Sequence, residues 1–334
     1  MSIVLQTSCI LTQVYKTYGI QVFNQSYYEA LMYNWTKPGG CKEQIKKCQD
    51  ALQDQEPISL SLLRADATKK NLSDFCTPYV DECGEQVPYA YLNSSDGRGW
   101  FDIAHPKADP FPLPHMYGYL LEEQTLAALG VPVNWSFHSL PVMNGFVATH
   151  DIVHGGYLDD IAQLLDGGVK VHLMYGDRDY ACNWIGGEKA SLAVPYSRAA
   201  DFAGAGYSPL LTPDGVSGMT RQFGNFSFTR VYQAGHEVPT YQPAAAYEIF
   251  MRATFNRDVA TGLIPVTDEL ATLGPHDTWF IKNVPPEMPK PVCYILKPDS
   301  CLPEVWKTVE NGTATVKDWF VVEKKEDSGW PDEL

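Results

Sequence analysis

The stretch VKVHLMYGDRDYACNWIGGE, Val169 to Glu188, limits the possible folds more than any other part of the chain. Its opening run is rich in β-branched and large residues, is preceded by Asp166-Gly-Gly and ends at Gly176. That length between those flanks predicts a buried strand rather than a helix. The strand runs directly into Asp177 and Asp179, two carboxylates at a strand's C-terminal edge, where open α/β sheets bind ligands. Further on, FSFTRVYQ (Phe226 to Gln233) alternates as a second strand, and AGHEVPTYQP follows it. His236 therefore falls just past a strand end, before a helix expected from about Gln242 to Phe255. An acid past one strand and a histidine past a later one have the chain order of the last two members of a catalytic triad on an α/β sheet.

Around this frame the spacing predicts helices from about Tyr18 to Trp35, from Cys41 to Gln53 and from Gly156 to Leu165. MYGYLLEEQTLAALG reads as one short helix stopped by Gly130, and GGEKASLAVPYSRAADFAGA as helical with a turn near Pro195. VSGMTRQFG and NFSFTRVYQ predict a hairpin around Gly224-Asn225. The Pro-rich FDIAHPKADPFPLPH, from Phe101, reads as an ordered surface crossing. Beyond Phe255 the chain reads as turn-rich.

Eight cysteines are present, at 9, 41, 48, 76, 83, 182, 293 and 301. Near-paired spacing reads as disulfides rather than metal ligands. Cys41, Cys48, Cys76 and Cys83 can pair in three ways, while Cys293 and Cys301 are expected to close a small loop. Cys9 and Cys182 are left over. Seven Asn-x-Ser/Thr sequons, at Asn24, Asn34, Asn71, Asn93, Asn134, Asn225 and Asn311, join the cysteines in favouring the secretory pathway. MSIVLQTSCILTQV, however, lacks the basic region and unbroken apolar run of a signal peptide. The formal net charge of −15 argues against a nucleic-acid partner, and no apolar run approaches membrane-spanning length. His150 and His154, with Asp151 and Asp159 nearby, have the spacing of a zinc-binding pair but no third ligand in context, so neither metal nor cofactor is expected.

GDRDYACNWIGGEKASL followed by AGHEVPTYQPAAAYEIFMR resembles the acid and histidine motifs of the serine carboxypeptidase family, most closely its fungal secreted members. YGIQVFNQSYYEALMYNWTKPGGCKEQI, FDIAHPKADPFPLP and YLLEEQTLAALGVPVNW resemble that family's mid-chain segments, so the likeness covers nearly the whole chain. The resemblance implies an α/β protein: the C-terminal part of an α/β-hydrolase sheet with flanking helices, plus a helical, disulfide-stapled cap insertion. On this reading residues 1–100 form the cap region, 101–290 the core carrying acid and histidine, and 291–334 a tail with a disulfide loop. The implied activity is stepwise removal of C-terminal amino acids from peptides or proteins. The implied catalytic acid is Asp179 and the general base His236. Cys182 matches a family cysteine near the substrate pocket, where Asn183 and Glu237 are also candidates, and Glu237 is placed to raise the His236 pKa. Asp177 is expected to be structural, binding amides of its own turn.

The family's nucleophile lies in a GESYxG elbow and its oxyanion and carboxylate contacts in an NGGPG stretch, and neither string occurs here. No serine before Asp179 stands in a G-x-S-x-G setting, and Ser217 comes after the acid. The chain is therefore expected to be inactive alone, with an N-terminal half as its missing covalent or separate partner. The full protein would be secreted or vacuolar. The alternatives are a noncatalytic glycoprotein binding a peptide or partner, and one chain of a two-chain enzyme.

Overall fold

The structure, a computed structural model, describes residues 15–53, 76, 83, 90–94, 97–107, 115–136, 139–148, 155–284, 287 and 292–322. The chain forms two compact units, residues 1–104 with 139–287 and residues 105–138 with 288–334.

In the larger unit, α1 (Gln25–Thr36) starts where the Asn24 side chain accepts from the Tyr27 N–H. The single helix expected from Tyr18 is interrupted, because Gly19 takes a left-handed conformation with φ 71°. Next come α2 (Cys41–Gln53), α3 (Leu140–Ala148) and α4 (Tyr157–Asp166), the last leading into β1 (Val171–Gly176). Then follow α5 (Trp184–Leu192), α6 (Ala199–Gly204), β2 (Tyr207–Thr212), β3 (Gly215–Phe223) and β4 (Phe226–Val231). α7 (Val238–Tyr241) and α8 (Pro243–Thr254) follow. Strand β2, not foreseen from sequence, contains Pro209 and lies at one edge of the sheet, where a missing N–H is tolerated.

The sheet runs in the order β1-β4-β3-β2. β2, β3 and β4 form an antiparallel meander, and the β3–β4 hairpin turns at Gly224-Asn225 as expected. β1 and β4 are parallel, with Val171 opposite Phe226 and Gly176 opposite Val231. This register brings the two strand ends, and the loops that leave them, to the same edge. One face of the sheet buries Phe226, Phe228, Tyr207 and Met219 with Leu165 of α4 and Phe202 of α6. The other buries Leu210 and Val231 with Val238, Ala245, Ala246 and Ile249 of α7 and α8. Helices on both faces of a sheet are the α/β layering that the sequence predicted.

The staple cysteines choose one of the three open pairings, Cys41–Cys83 and Cys48–Cys76, and Cys293 bonds Cys301. Cys182 is free, and Cys9 lies outside the described residues. Trp35, Cys41, Ile45 and Cys83 pack together beneath the first staple.

In the smaller unit, the segment expected as one helix is two, His115–Tyr119 and Glu123–Leu129, the second stopped by Gly130 in a left-handed conformation. A helix at Pro303–Glu310 and a two-stranded ladder of Thr315–Lys317 with Phe320–Val322, neither foreseen, accompany the Cys293–Cys301 loop. Among the sequons, Asn24, Asn93, Asn134 and Asn311 are exposed and Asn34 is half-buried, while Asn71 lies outside the described residues. The Nδ2 of Asn225, which is half-buried, donates to both the Leu165 and Val169 carbonyls, so its amide pins the loop before β1. No helix among the described residues is long and apolar enough to cross a membrane.

Candidate active site

The site grows from the paired ends of β1 and β4. Beyond Gly176 and Val231 the two loops stay zipped: the Asp177 N–H donates to the Val231 carbonyl at 3.0 Å and the Arg178 N–H to the Ala234 carbonyl at 2.8 Å. Close approach depends on Gly176, where a Cβ would run into the carbonyl oxygens of Ala234 and Gly235. Residues 100–104 thread along the same loops. The Ile103 N–H donates to the Arg178 carbonyl, the Ala181 N–H to the Trp100 carbonyl and the His236 N–H to the Phe101 carbonyl. Asp102, Ile103 and Ala104 are buried, and Asp102 pairs with Arg178 at 2.7 Å. The segment, read from sequence as a surface crossing back toward the core, is buried at its start and lies against the acid and histidine loops.

Asp177 gathers partners from separate parts of the chain. Its Oδ1 accepts from the Tyr18 hydroxyl at 2.6 Å and from the Gln233 N–H at 2.9 Å. Its Oδ2 accepts from Arg230 at 3.2 Å and from Asn283. Asp177 and Arg230 are both fully buried, and the Arg230 guanidinium lies over the Trp184 ring at 4.1 Å. The residue is structural, as sequence suggested. The amide it binds belongs to the histidine loop rather than its own turn, so it ties that loop to the acid loop. Gln233 takes φ 55°, a conformation costly for a non-glycine residue and held here by that bond.

Two residues on, Asp179 is 3% exposed and its Oδ2 meets His236 Nδ1 at 2.8 Å. Its Oδ1 accepts from the Cys182 N–H at 3.0 Å, closing a tight turn. Tyr180, also buried, stacks on Tyr91 with ring centroids 3.6 Å apart and fixes the turn from behind. The His236 ring is partly exposed and lies 5.0 Å from Phe101. Hydrogen bonds donated to Asp179 and then to Cys182 push the His236 pKa up to about 10, while burial pushes the Asp179 carboxyl up. Glu237 is exposed just before α7. Asp179, Cys182 and His236 thus come together. Asn183 is buried and caps α5, its Oδ1 accepting from the Gly186 N–H at 2.9 Å. Trp184 is buried in the core, its indole N–H on Thr17. His150, Asp151 and His154 lie outside the described residues.

A buried carboxylate bonded to Nδ1 of a partly exposed imidazole holds the ring in one orientation, the arrangement of an acid that positions a histidine. Sequence reading missed Phe101 and Asp102 as parts of this site; the alternation of Pro with polar residues masked two positions held by loop contacts.

A model of the serine carboxypeptidase family matches residues 3–256. The chain is similar to carboxypeptidase S1 homolog A of Arthroderma otae, 44% identical over 312 residues that cover 91% of this chain and 46% of that protein. It is also similar to homolog B of the same fungus, 40% identical over 325 residues, with 95% and 48% covered. The crystal structure of a prohormone-processing carboxypeptidase from Saccharomyces cerevisiae superposes with a TM-score of 0.47 at 13% identity, covering 81% of this chain and 55% of that one. The chain spans about half the length of the curated relatives it matches.

Proposed function

The chain belongs to the serine carboxypeptidase family, and from that premise we propose that it carries the acid and base of a serine-type carboxypeptidase site. The reading rests on one observation above the rest, the 2.8 Å bond between His236 Nδ1 and buried Asp179. The substrate would be a peptide or protein C-terminus. The serine would come from the segment that longer relatives carry and these 334 residues lack in recognisable form.

In that assembled site the serine Oγ attacks the carbonyl of the last peptide bond as Nε2 of His236 takes its proton. The C–N bond breaks, the imidazolium gives the proton to the departing amino group, and an acyl-enzyme remains. Water then repeats the sequence and releases the shortened chain. Asp179 stays ionised throughout and holds the ring. Without that serine the pair has nothing to activate, so the chain alone is expected to be inactive. β1 supports a missing partner: it is an edge strand among the described residues and pairs only with β4. The route of the full protein would be secretory, to the exterior or the vacuole, in keeping with the fungal relatives and the exposed sequons.

The test is hydrolysis of a blocked dipeptide at acidic pH by this chain and by a native-length protein containing it. The expected result is release of the C-terminal amino acid by the longer protein only, abolished there by His236→Ala. Hydrolysis by the 334-residue chain alone, lost on the same substitution, would overturn the proposal.

A further inference from the structure

Asp179, Cys182 and His236 each offer one donor atom, and the three atoms lie within 4.8 Å of one another. We propose that this trio binds one borderline-soft divalent cation of the zinc class, which occupies the imidazole and so silences the acid–base pair. The inference goes beyond acyl transfer, since it needs only the two loops and no serine.

The donor set comes first. A thiolate, an imidazole and a carboxylate are the ligands zinc prefers, whereas magnesium and calcium demand oxygens. The remaining described cysteines are locked in disulfides, so Cys182 supplies the one available thiolate among the described residues. Spacing comes next. Bonds of about 2.0–2.3 Å in a tetrahedron set donor atoms about 3.5 Å apart. Closing from 4.8 Å therefore asks for a movement of about 1 Å, within reach of a rotation of the cysteine side chain. The frame is already built. Asp179 and Cys182 stand on one turn closed by the Cys182 N–H on Asp179, and Arg178 zips that turn to the loop of His236. Access completes the case: Asp179 is buried, but Cys182 and His236 are partly exposed, which gives a cation a route in and leaves a coordination position facing solvent. The net charge of −15 favours cation approach over anion approach.

Cobalt(II) is the probe, because its bond to a thiolate gives a charge-transfer band in the near ultraviolet. The chain is titrated with a Cys9→Ser substitution so that Cys182 is the remaining unpaired thiol. The expected result is one equivalent bound with the thiolate band, displaced by zinc and untouched by excess magnesium or calcium. Cys182→Ser should abolish the band and weaken binding by at least about tenfold, with His236→Ala weakening it similarly. Cobalt binding without a thiolate band, or equal binding by Cys182→Ser, overturns the site. A second measurement needs no further variant. Zinc at about ten times its Kd should slow alkylation of Cys182 about tenfold, and an unchanged rate overturns the proposal even if Cys182→Ser fails to fold. Neither readout involves peptide hydrolysis, so failure of the carboxypeptidase reading leaves the cation site standing and the reverse also holds.

Discussion

A hydrogen bond donated to a buried carboxylate decides how His236 behaves, although its ring is partly exposed. The Asp179 bond, with Cys182 second, carries the imidazole from its ordinary value of 6.5 up to about 10. The folded value is the higher one, so this group's contribution to stability is full below about pH 6.5 and is lost as pH rises through about 10. NMR titration of the ring should accordingly show a proton retained well past neutrality in this chain, and Asp179→Asn should return the midpoint toward the ordinary value. A midpoint near 6.5 in the unsubstituted chain would refute the ion-pair account. At this scale sequence was informative where a residue's role is set by its neighbours in the chain. Asp179 and His236 were legible because strand, turn and polar residue are contiguous. Asn183 was read as a pocket residue, yet its neighbour three positions on supplies the N–H that it caps. The partners of Asp177 were out of reach: Tyr18, Asn283 and Arg230 lie 159, 106 and 53 residues away, and no local pattern encodes such a network.

Strands and helices were legible in proportion to the strength of their own punctuation. β1, β4 and α8 are bounded by Gly or Pro and were placed closely. β2 was hidden by Pro209, and the break before α1 turned on the backbone conformation of one glycine, Gly19. β1 also carries a titration that opposes the one at the site. His172 Nδ1 meets Ser227 Oγ at 2.8 Å, its buried Nε2 has no hydrogen-bond partner among the described residues, and burial holds its pKa down at about 4. Here the folded value is the lower one. As pH falls from about 6.5 to about 4 the unfolded chain takes up a proton that the folded chain refuses, and stability drops through that window. His172→Gln, which keeps a hydrogen-bonding group for Ser227, should remove that part of the acid sensitivity. Urea unfolding of both proteins between pH 7 and pH 4 should show a difference that changes by on the order of 1–3 kcal/mol across the range. Parallel curves would mean that the imidazole is already hydrated.

For the molecule as a whole, what sequence could not convey was which distant segments share a body. Residues 105–138 join residues 288–334, where the Gly118 N–H reaches the Tyr294 hydroxyl and Tyr117 packs edge-on to Tyr294, across contacts too remote for hydropathy patterns to reveal. The chain spans about half the length of the curated relatives it matches, and two features of the larger unit would suit a further partner. β1 leaves one edge of its backbone without a strand partner among the described residues. On α3, Leu140, Val142, Met143 and Phe146 are all at least half exposed, with values of 63%, 57%, 50% and 53%. Contiguous apolar side chains and an open strand edge together favour association with another chain or with a missing part of the same one. The 334-residue chain by itself should therefore bind a hydrophobic dye and self-associate as its concentration rises, measured by sedimentation velocity. In a native-length protein the dye signal should fall and the mass should be that of one chain. Charged substitutions at Val142 and Phe146 separate the two sources of association: they should reduce self-association of the short chain if α3 drives it, and leave it unchanged if the β1 edge does. A short chain that sediments as a monomer at every concentration and binds no dye would show that neither surface needs covering, and the case for a missing half would then rest on the absent serine motif alone.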